Sequence, residues 1–408
     1  MPENTRSWLF AQNPATLTVP MTNRLKVAWI TFFPVEWLPE APDEIRSLPK
    51  GHPASWQRVL LRELQKDPSI ELHIFAIRKS FPNNTTFSSG NATFYCLKAP
   101  GGLRAPTLFW IDTWILRPYM RRIQPDVVHA WGTEQGAGMV ASRLGFPFVV
   151  TMQGILSWLG ERVRLNRYEK LMSFLEGWVL PKAPRITVEA KFAVEYIRSK
   201  WGNRNTEQIE HAPDPVFSET ERRNNGKPLR FLAMGGINEL KGADLLLRCL
   251  ANLSKSLAFE LVCIGTSQTR LLKELQCQLP KEFLARIEFK SGLSAGEVAK
   301  EMSDATMLLY PTRGDTSPNS VKEAVVHGLP VVASRVGGIP DYVHESKNGV
   351  LFEPNHLDQF DHAVRRALNH PLFSKGKVAQ DALIDSRRQL SAALMAKSFS
   401  ETYHELAL

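Results

Sequence analysis

The chain reads as an α/β protein built of two doubly wound parallel-sheet domains. Its 408 residues exceed what one core comfortably holds and divide into two units of roughly 200 residues each. Short β-branched apolar runs alternate along it with stretches at helical spacing, the pattern of successive βα units. Glycines stand where several of those runs give way to a helix, as at Gly235-Gly236 and Gly337-Gly338.

Composition narrows the class. Hydrophobic residues make up 43% and charged residues 22%, which describes a globular chain rather than a disordered one. No apolar run reaches the roughly 18 residues of a membrane span. Residues 1–22 read as a tail without the basic and apolar regions of a secretory signal, and Met21 is an alternative start. Cys96, Cys249, Cys263 and Cys277 have no C-x-x-C spacing, so free thiols in a reducing cytosol are expected. No acidic cluster or Asp-x-Asp pair points to a metal, and no cofactor is expected.

The net charge of +9 is uneven. Residues 1–216 hold 26 basic against 19 acidic side chains, residues 217–408 hold 24 against 22, and all ten tryptophans lie at or before Trp201. A basic, aromatic first half suits an anionic membrane surface or a phosphate-bearing acceptor. No nucleic-acid motif is present, so no nucleic-acid partner is expected. The expected location is the cytoplasm, with the inner face of a membrane as a working surface.

In chain order, Leu25 to Phe33 is a buried strand, His52 to Lys66 a helix starting after Gly51, and Ile70 to Ile77 a second strand. Residues 103–123 mix Phe109, Trp110, Trp114, Ile115 and Leu116 with Arg104, Arg117, Arg121 and Arg122. They fit either a membrane-surface element or an amphipathic helix broken at Pro118. Asp126 to His129 and Pro147 to Thr151 are further strands, the first leading into Trp131 and Glu134, the second into Gln153-Gly154. His129 at a strand end reads as structural. A strand end and helix fill Val188 to Trp201, and the polar run 218–228 is a linker. Phe231 to Met234 opens the second unit, and Lys241-Gly242 precedes an amphipathic helix over Ala243 to Leu253. The domains expected are 23–213 and 214–390, with a terminal helix over 391–408.

The stretch Leu308 to Pro354 carries the chemistry. It reads as strand, polar loop, helix, strand, glycine turn, helix start and short strand. Ser317 or Asn319 would cap the helix Ser320 to His327, and Gly328 would end it. Two helix N-termini would then stand at the carboxyl ends of adjacent parallel strands, where free N–H groups and dipole ends suit a phosphate or diphosphate. Asp315 and Glu323 would offer carboxylates to sugar or ribose hydroxyls.

Asp315-x7-Glu323, with Ala324, Gly328-Leu329-Pro330-Val331-Val332 and Gly337-Gly338-Ile339-Pro340, resembles the signature of family 4 retaining glycosyltransferases. The family's pattern is Glu-x7-Glu, so Asp315 shortens the first carboxylate. The resemblance implies a GT-B fold, two Rossmann-like domains facing a cleft, and transfer from a nucleotide-diphosphate sugar to a glycan or lipid-linked acceptor. It places Asp315, Glu323 and Gln153 in catalytic positions, Gln153 standing where the family has histidine in Thr-x-His-Gly. It assigns donor contacts to Gly235, Gly236, Lys241, Ser317, Pro318, Asn319, Ser320, Ser291 and Gly292. Arg313 is the nearest substitute for the arginine the family carries at Gly236. Gly51, His52, Trp131 and Gly154 belong to the acceptor side. The run His211 to Phe217 resembles the family's interdomain passage. Two other readings keep the fold: a degenerate binding or scaffold protein, and a sugar-nucleotide epimerase. A nicotinamide enzyme is disfavoured, since no G-x-G-x-x-G follows the first strand.

Overall fold

A computed structural model describes residues 24–50, 54–224, 226, 228–267 and 269–408. The tail expected over residues 1–22 and the acceptor-side residues Gly51 and His52 lie outside them.

The first unit contains β1 (Leu25–Thr31), β2 (Ile70–Arg78), β3 (Thr85–Ser89), β4 (Ala92–Lys98), β5 (Val127–Trp131), β6 (Phe148–Thr151), β7 (Arg185–Val188) and β8 (Thr206–Gln208). They form one sheet in the order β3-β4-β2-β1-β5-β6-β7-β8. Only β3 runs antiparallel, paired with β4 at the edge. That hairpin goes beyond the sequence reading, because its alternating, half-exposed pattern has no long apolar run. Around the sheet lie α1 (Asp43–Arg46), α2 (Ser55–Leu64), α3 (Trp110–Ile123), α4 (Ala137–Ala141), α5 (Leu156–Gly160), α6 (Arg167–Val179) and α7 (Lys191–Trp201). α3 runs unbroken through Pro118, which corrects the expected break. The missing N–H would have met the carbonyl of Trp114, a residue on the exposed face of the helix.

The second unit begins with α8 (Val216–Glu219) and contains β9 (Arg230–Met234), β10 (Glu260–Ile264), β11 (Ile287–Lys290), β12 (Met307–Tyr310), β13 (Val331–Ser334) and β14 (Gly349–Phe352). The order β11-β10-β9-β12-β13-β14 is parallel throughout. Its helices are α9 (Ala243–Leu253), α10 (Thr269–Gln278), α11 (Lys281–Leu284), α12 (Ala295–Asp304), α13 (Asn319–His327), α14 (Ile339–Tyr342), α15 (Leu357–Asn369) and α16 (Gln380–Gln389). β5, β12, β13 and β14 are buried along their whole length, as strands covered on both faces must be. Strand order reverses between β1 and β5 in one sheet and between β9 and β12 in the other. Those switch points are where open α/β sheets hold ligands.

The last helix, α17 (Ala392–Ala407), packs back on α2, β1 and β5 of the first sheet. Its Tyr403 hydroxyl lies 3.1 Å from Trp29 Nε1 and 2.6 Å from His129 Nδ1, and His129 Nε2 lies 2.6 Å from Thr151 Oγ1. Burial holds the His129 ring well below its ordinary pKa. His129 is therefore a neutral core residue that docks the terminal helix.

A continuous apolar cluster crosses between the units through Val188, Ala190, Phe217, Val321 and Ile339. Within it sits a buried charge group. Glu189 pairs with Lys322 of α13, and His211 Nδ1 lies 3.0 Å from its other oxygen. Burial alone raises the Glu189 carboxyl, but His211 and Lys322 outweigh it and bring it down to about 2. Beside it the Tyr342 hydroxyl lies 2.8 Å from Glu210 Oε2 and 2.6 Å from Ser317 Oγ. Burial pushes the Glu210 carboxyl up to about 7.

Candidate functional site

On the second sheet the site is built from two loops at its switch point. The loop after β9 turns on Gly235 and Gly236, both at positive φ. A side chain at Gly236 cannot fit, since its Cβ would lie 1.9 Å from the Thr266 carbonyl oxygen. Asn238 braces the turn by accepting from Lys241 N–H at 2.8 Å and donating to the Gly235 carbonyl at 2.8 Å. The Lys241 stem lies along Gly235 and its ammonium donates to the Tyr310 hydroxyl at 2.7 Å. Lys241 also pairs with Asp315, whose Oδ2 accepts from Tyr310 at 2.8 Å. Burial disfavours the ammonium charge, but Asp315 and Tyr310 more than reverse this and hold Lys241 above its ordinary pKa. The cation and the first carboxylate of the sequence pattern are thus one ion pair, with Tyr310 as an unforeseen third member.

The loop after β12 leads into α13. Pro318 stands at its N-cap without a side-chain cap bond. Neither Ser317 nor Asn319 caps the helix, because Ser317 is turned into the Tyr342 contact between the units. The amides of Asn319 and Ser320 at this end are left without an intrahelical acceptor, beside the Asp315 loop. The second expected helix end is different. Gly338 N–H donates to the Thr316 carbonyl at 2.9 Å, and a Cβ on Gly337 would lie 1.7 Å from the Asp315 carbonyl oxygen. These glycines admit the neighbouring loop of the chain itself, which corrects the expectation of a second helix end open to a phosphate.

Arg313, the expected substitute cation, is engaged elsewhere in this structure. It holds Asp244 with two bonds of 2.8 and 2.9 Å and reaches Asn355 at 2.8 Å, so its charge is already matched. Glu323 stands half-buried on α13 with no hydrogen-bond partner among the described residues. Burial pushes its carboxyl up to about 7, against the pull of Lys322. Ser291 and Gly292 lie exposed past the end of the edge strand β11, next to Lys290, whose carbonyl accepts from Gly265 N–H at 2.9 Å.

On the first sheet, Trp131 is buried at the end of β5, stacked on His129 at 4.3 Å. Gln153 and Gly154 follow β6, both half-buried. The next turn, α5, crosses to the second unit: Gly314 lies against Leu159 and Trp158, and Gly337 against Trp158. Glu176 of α6 fixes that helix, accepting from the N–H groups of Leu156 and Ser157 at 2.8 and 2.9 Å and from Ser157 Oγ at 2.5 Å. Fully buried, its carboxyl is raised by desolvation. Glu134, on the loop after β5, also faces this region, and burial pushes its carboxyl up to about 7. The sequence reading gave Glu134 no role and did not single out Glu176. A carboxylate three residues beyond a buried strand was a usable signal for the first; nothing local marks the second.

Among the described residues no group of three or more His, Cys, Asp or Glu side chains could hold a metal ion. No described helix is long and apolar enough to cross a membrane.

Residues 228–370 match the family described as glycosyl transferases group 1, and residues 59–216 match Glycosyltransferase Family 4. The chain is 28% identical over 256 residues to the uncharacterized glycosyltransferase MJ1178 of Methanocaldococcus jannaschii, covering 61% of this chain and 67% of that protein. It is 29% identical over 160 residues to the lipopolysaccharide glucosyltransferase WaaG of Escherichia coli, covering 38% of this chain and 42% of that one. In structure it resembles Anabaena Alr3699/HepE in complex with UDP and glucose, with a TM-score of 0.66 at 14% identity over 94% of this chain and all of that one.

Proposed function

The chain belongs to the family 4, group 1 glycosyltransferases and has their GT-B fold, and on that premise we propose that it moves a sugar from a nucleoside-diphosphate sugar to a hydroxyl acceptor with retention of configuration. The observation that carries this reading is the Lys241–Tyr310–Asp315 cluster beside the uncapped end of α13, both at a switch point. The diphosphate takes the N–H groups of Asn319 and Ser320 and the Lys241 ammonium, part of whose charge now goes to Asp315. Asp315 turns to the sugar hydroxyls and Glu323 to the ribose. The bond from the anomeric carbon to the phosphate oxygen breaks and its electron pair stays on that oxygen. The acceptor oxygen bonds the same carbon, and the acceptor proton leaves with the diphosphate. The fixed dipoles and Lys241 stabilise the leaving charge without a metal.

A lipid-linked or cell-surface glycan acceptor is supported by the surface of the first unit. Trp114 on α3 and Phe174 and Trp178 on α6 are 60%, 61% and 53% exposed, on helices that both flank α4. Arg117, Arg121 and Arg122 on α3 and Lys170 on α6 share those helices. Aromatic and basic side chains together suit an anionic membrane surface, at the inner face from the cytoplasm. The four unpaired cysteines agree with a reducing compartment.

The test is thermal stabilisation by UDP, GDP, ADP, dTDP and their sugars. One nucleotide should raise the melting temperature selectively, with about 2.7 kcal/mol of added stability at 100 times its dissociation constant. Lys241→Ala should lose that shift. A folded chain that responds to none of them removes the donor reading and favours a degenerate binding protein.

A further inference from the structure

We infer that Glu134 is the acceptor-binding carboxylate of the cleft, holding the attacking hydroxyl on the first unit opposite Asp315. This rests on the glycosyl-transfer reading and deepens it, since it makes the acceptor group a neutral hydroxyl that donates a hydrogen bond.

The placement comes first. Glu134 follows β5 at the switch point of the first sheet, past a turn on Gly132 at positive φ. Its side chain folds back over two glycines. A Cβ on Gly132 would lie 2.2 Å from Glu134 Oε2, and one on Gly154 would lie 3.2 Å from Oε1. The Gln153 amide oxygen lies 3.8 Å from that same point over Gly132. Glu134 and Gln153 therefore share one floor, which only glycine leaves open. From that floor α5 leads directly to the Asp315 loop, where Trp158 and Leu159 touch Gly337 and Gly314. The carboxylate and the donor loop are joined by a short, fixed segment.

Next is what the carboxylate lacks. Among the described residues no cation pairs with Glu134 and no side chain donates to it. The titratable groups facing it are Glu176 and Tyr168, both on α6; Glu176 repels its charge, and the Tyr168 hydroxyl is spent on the Glu134 carbonyl at 2.7 Å. Glu176 and Lys322, by contrast, are buried with every charge or lone pair engaged in holding structure. A half-buried carboxylate held only by backbone amides, with no cation and no side-chain donor, costs stability and contributes nothing to packing. An acceptor hydroxyl supplies that donor in the bound complex, the ionised form is the one that accepts it, and the proton turns to the departing diphosphate oxygen as the acceptor oxygen bonds the anomeric carbon. Because burial, offset in part by nearby backbone amides, raises the group to about 7, that form prevails above neutrality and is lost below it.

Water can take the place of the acceptor, so slow hydrolysis of the donor sugar reads the site without the natural acceptor. The probe is the sugar of whichever nucleotide stabilises the wild type, followed by release of nucleoside diphosphate across pH. In the wild type the rate should rise through about pH 7. Glu134→Gln should keep the nucleotide-induced thermal shift, slow release by about tenfold or more and flatten the pH rise. Glu134→Asp keeps the charge and should keep the rise at a lower rate, which separates loss of the carboxylate from loss of the fold. Release by Glu134→Gln at the wild-type rate and pH profile overturns the assignment, as does a donor-bound wild type that releases nothing. Failure of every nucleotide to stabilise the wild type overturns instead the donor reading on which it stands.

Discussion

Gly236 shows how one residue decides what the loop after β9 can contain. The family resemblance puts an arginine there, and its absence first reads as one lost contact with the diphosphate. The structure gives a different account: the backbone at positive φ closes on the Thr266 carbonyl, so no side chain of any charge fits. Gly236→Arg should therefore weaken nucleotide binding rather than restore it. The left-handed conformation alone costs a non-glycine residue roughly 1–2 kcal/mol, and the overlap with Thr266 adds to that. Thermal melts of the variant with and without the stabilising nucleotide check this. A variant as stable as the wild type that binds nucleotide more tightly would show that the loop opens and that the arginine site is latent. Arg313 teaches the same lesson in reverse, because it was legible as a nearby cation while its partner Asp244, 69 positions away, was not.

At the scale of the element, α5 matters more than its five residues suggest. It is far too short to hold itself in water, and its N–H groups are satisfied by Glu176 from α6 rather than by a local cap. Glu176→Ala leaves the Leu156 and Ser157 amides unpaired and should cost about 1–3 kcal/mol. The loss falls on the segment joining Gln153 to the Asp315 loop. Nucleotide binding should persist while glycosyl transfer or donor hydrolysis collapses, and the emission of Trp158, now buried against Gly337, should shift to the red. Unchanged turnover would show that α5 is a passive connection. Sequence periodicity had no access to this helix, whose stability belongs to a residue on another one.

At the scale of the whole molecule, the two units are locked by a charge pair sealed in apolar surroundings. Lys322 has no exposed side-chain surface, and Glu189 keeps 6%. Removing one partner of such a pair strands the other, so Lys322→Met should cost about 3–5 kcal/mol near neutral pH. The sign with pH follows from Glu189. Its folded-state value near 2 lies below the ordinary carboxyl value of 4.5, so its stabilisation is complete above 4.5 and is lost as pH falls toward 2. The penalty of Lys322→Met should narrow over that acid range, as denaturant midpoints of both proteins would show. A penalty constant with pH would mean that lost packing, not the charge, is responsible. Glu134, Glu210 and Glu323, all raised to about 7, act oppositely and erode folded stability as pH climbs from about 4.5 to 7.

Much of this protein was determined by sequence alone. Apolar runs placed β1, β2, β5, β6, β9, β12 and β13 within a few residues, and Lys241-Gly242 before α9 matched the observed helix start. Those signals are local, set by side-chain period, turn glycines and neighbouring caps. Asp315 and Lys241 could likewise be chosen one at a time from their loops. Their union with Tyr310, the capture of Arg313 by Asp244 and the Glu189–Lys322 lock belonged to the tertiary structure. These contacts join residues 74, 69 and 133 positions apart. The same holds for Glu134, whose chemistry depends on burial and on two glycines from different loops. A charge acquires its function from what desolvates and pairs it, and that is decided only once the sheets and the cleft between them exist.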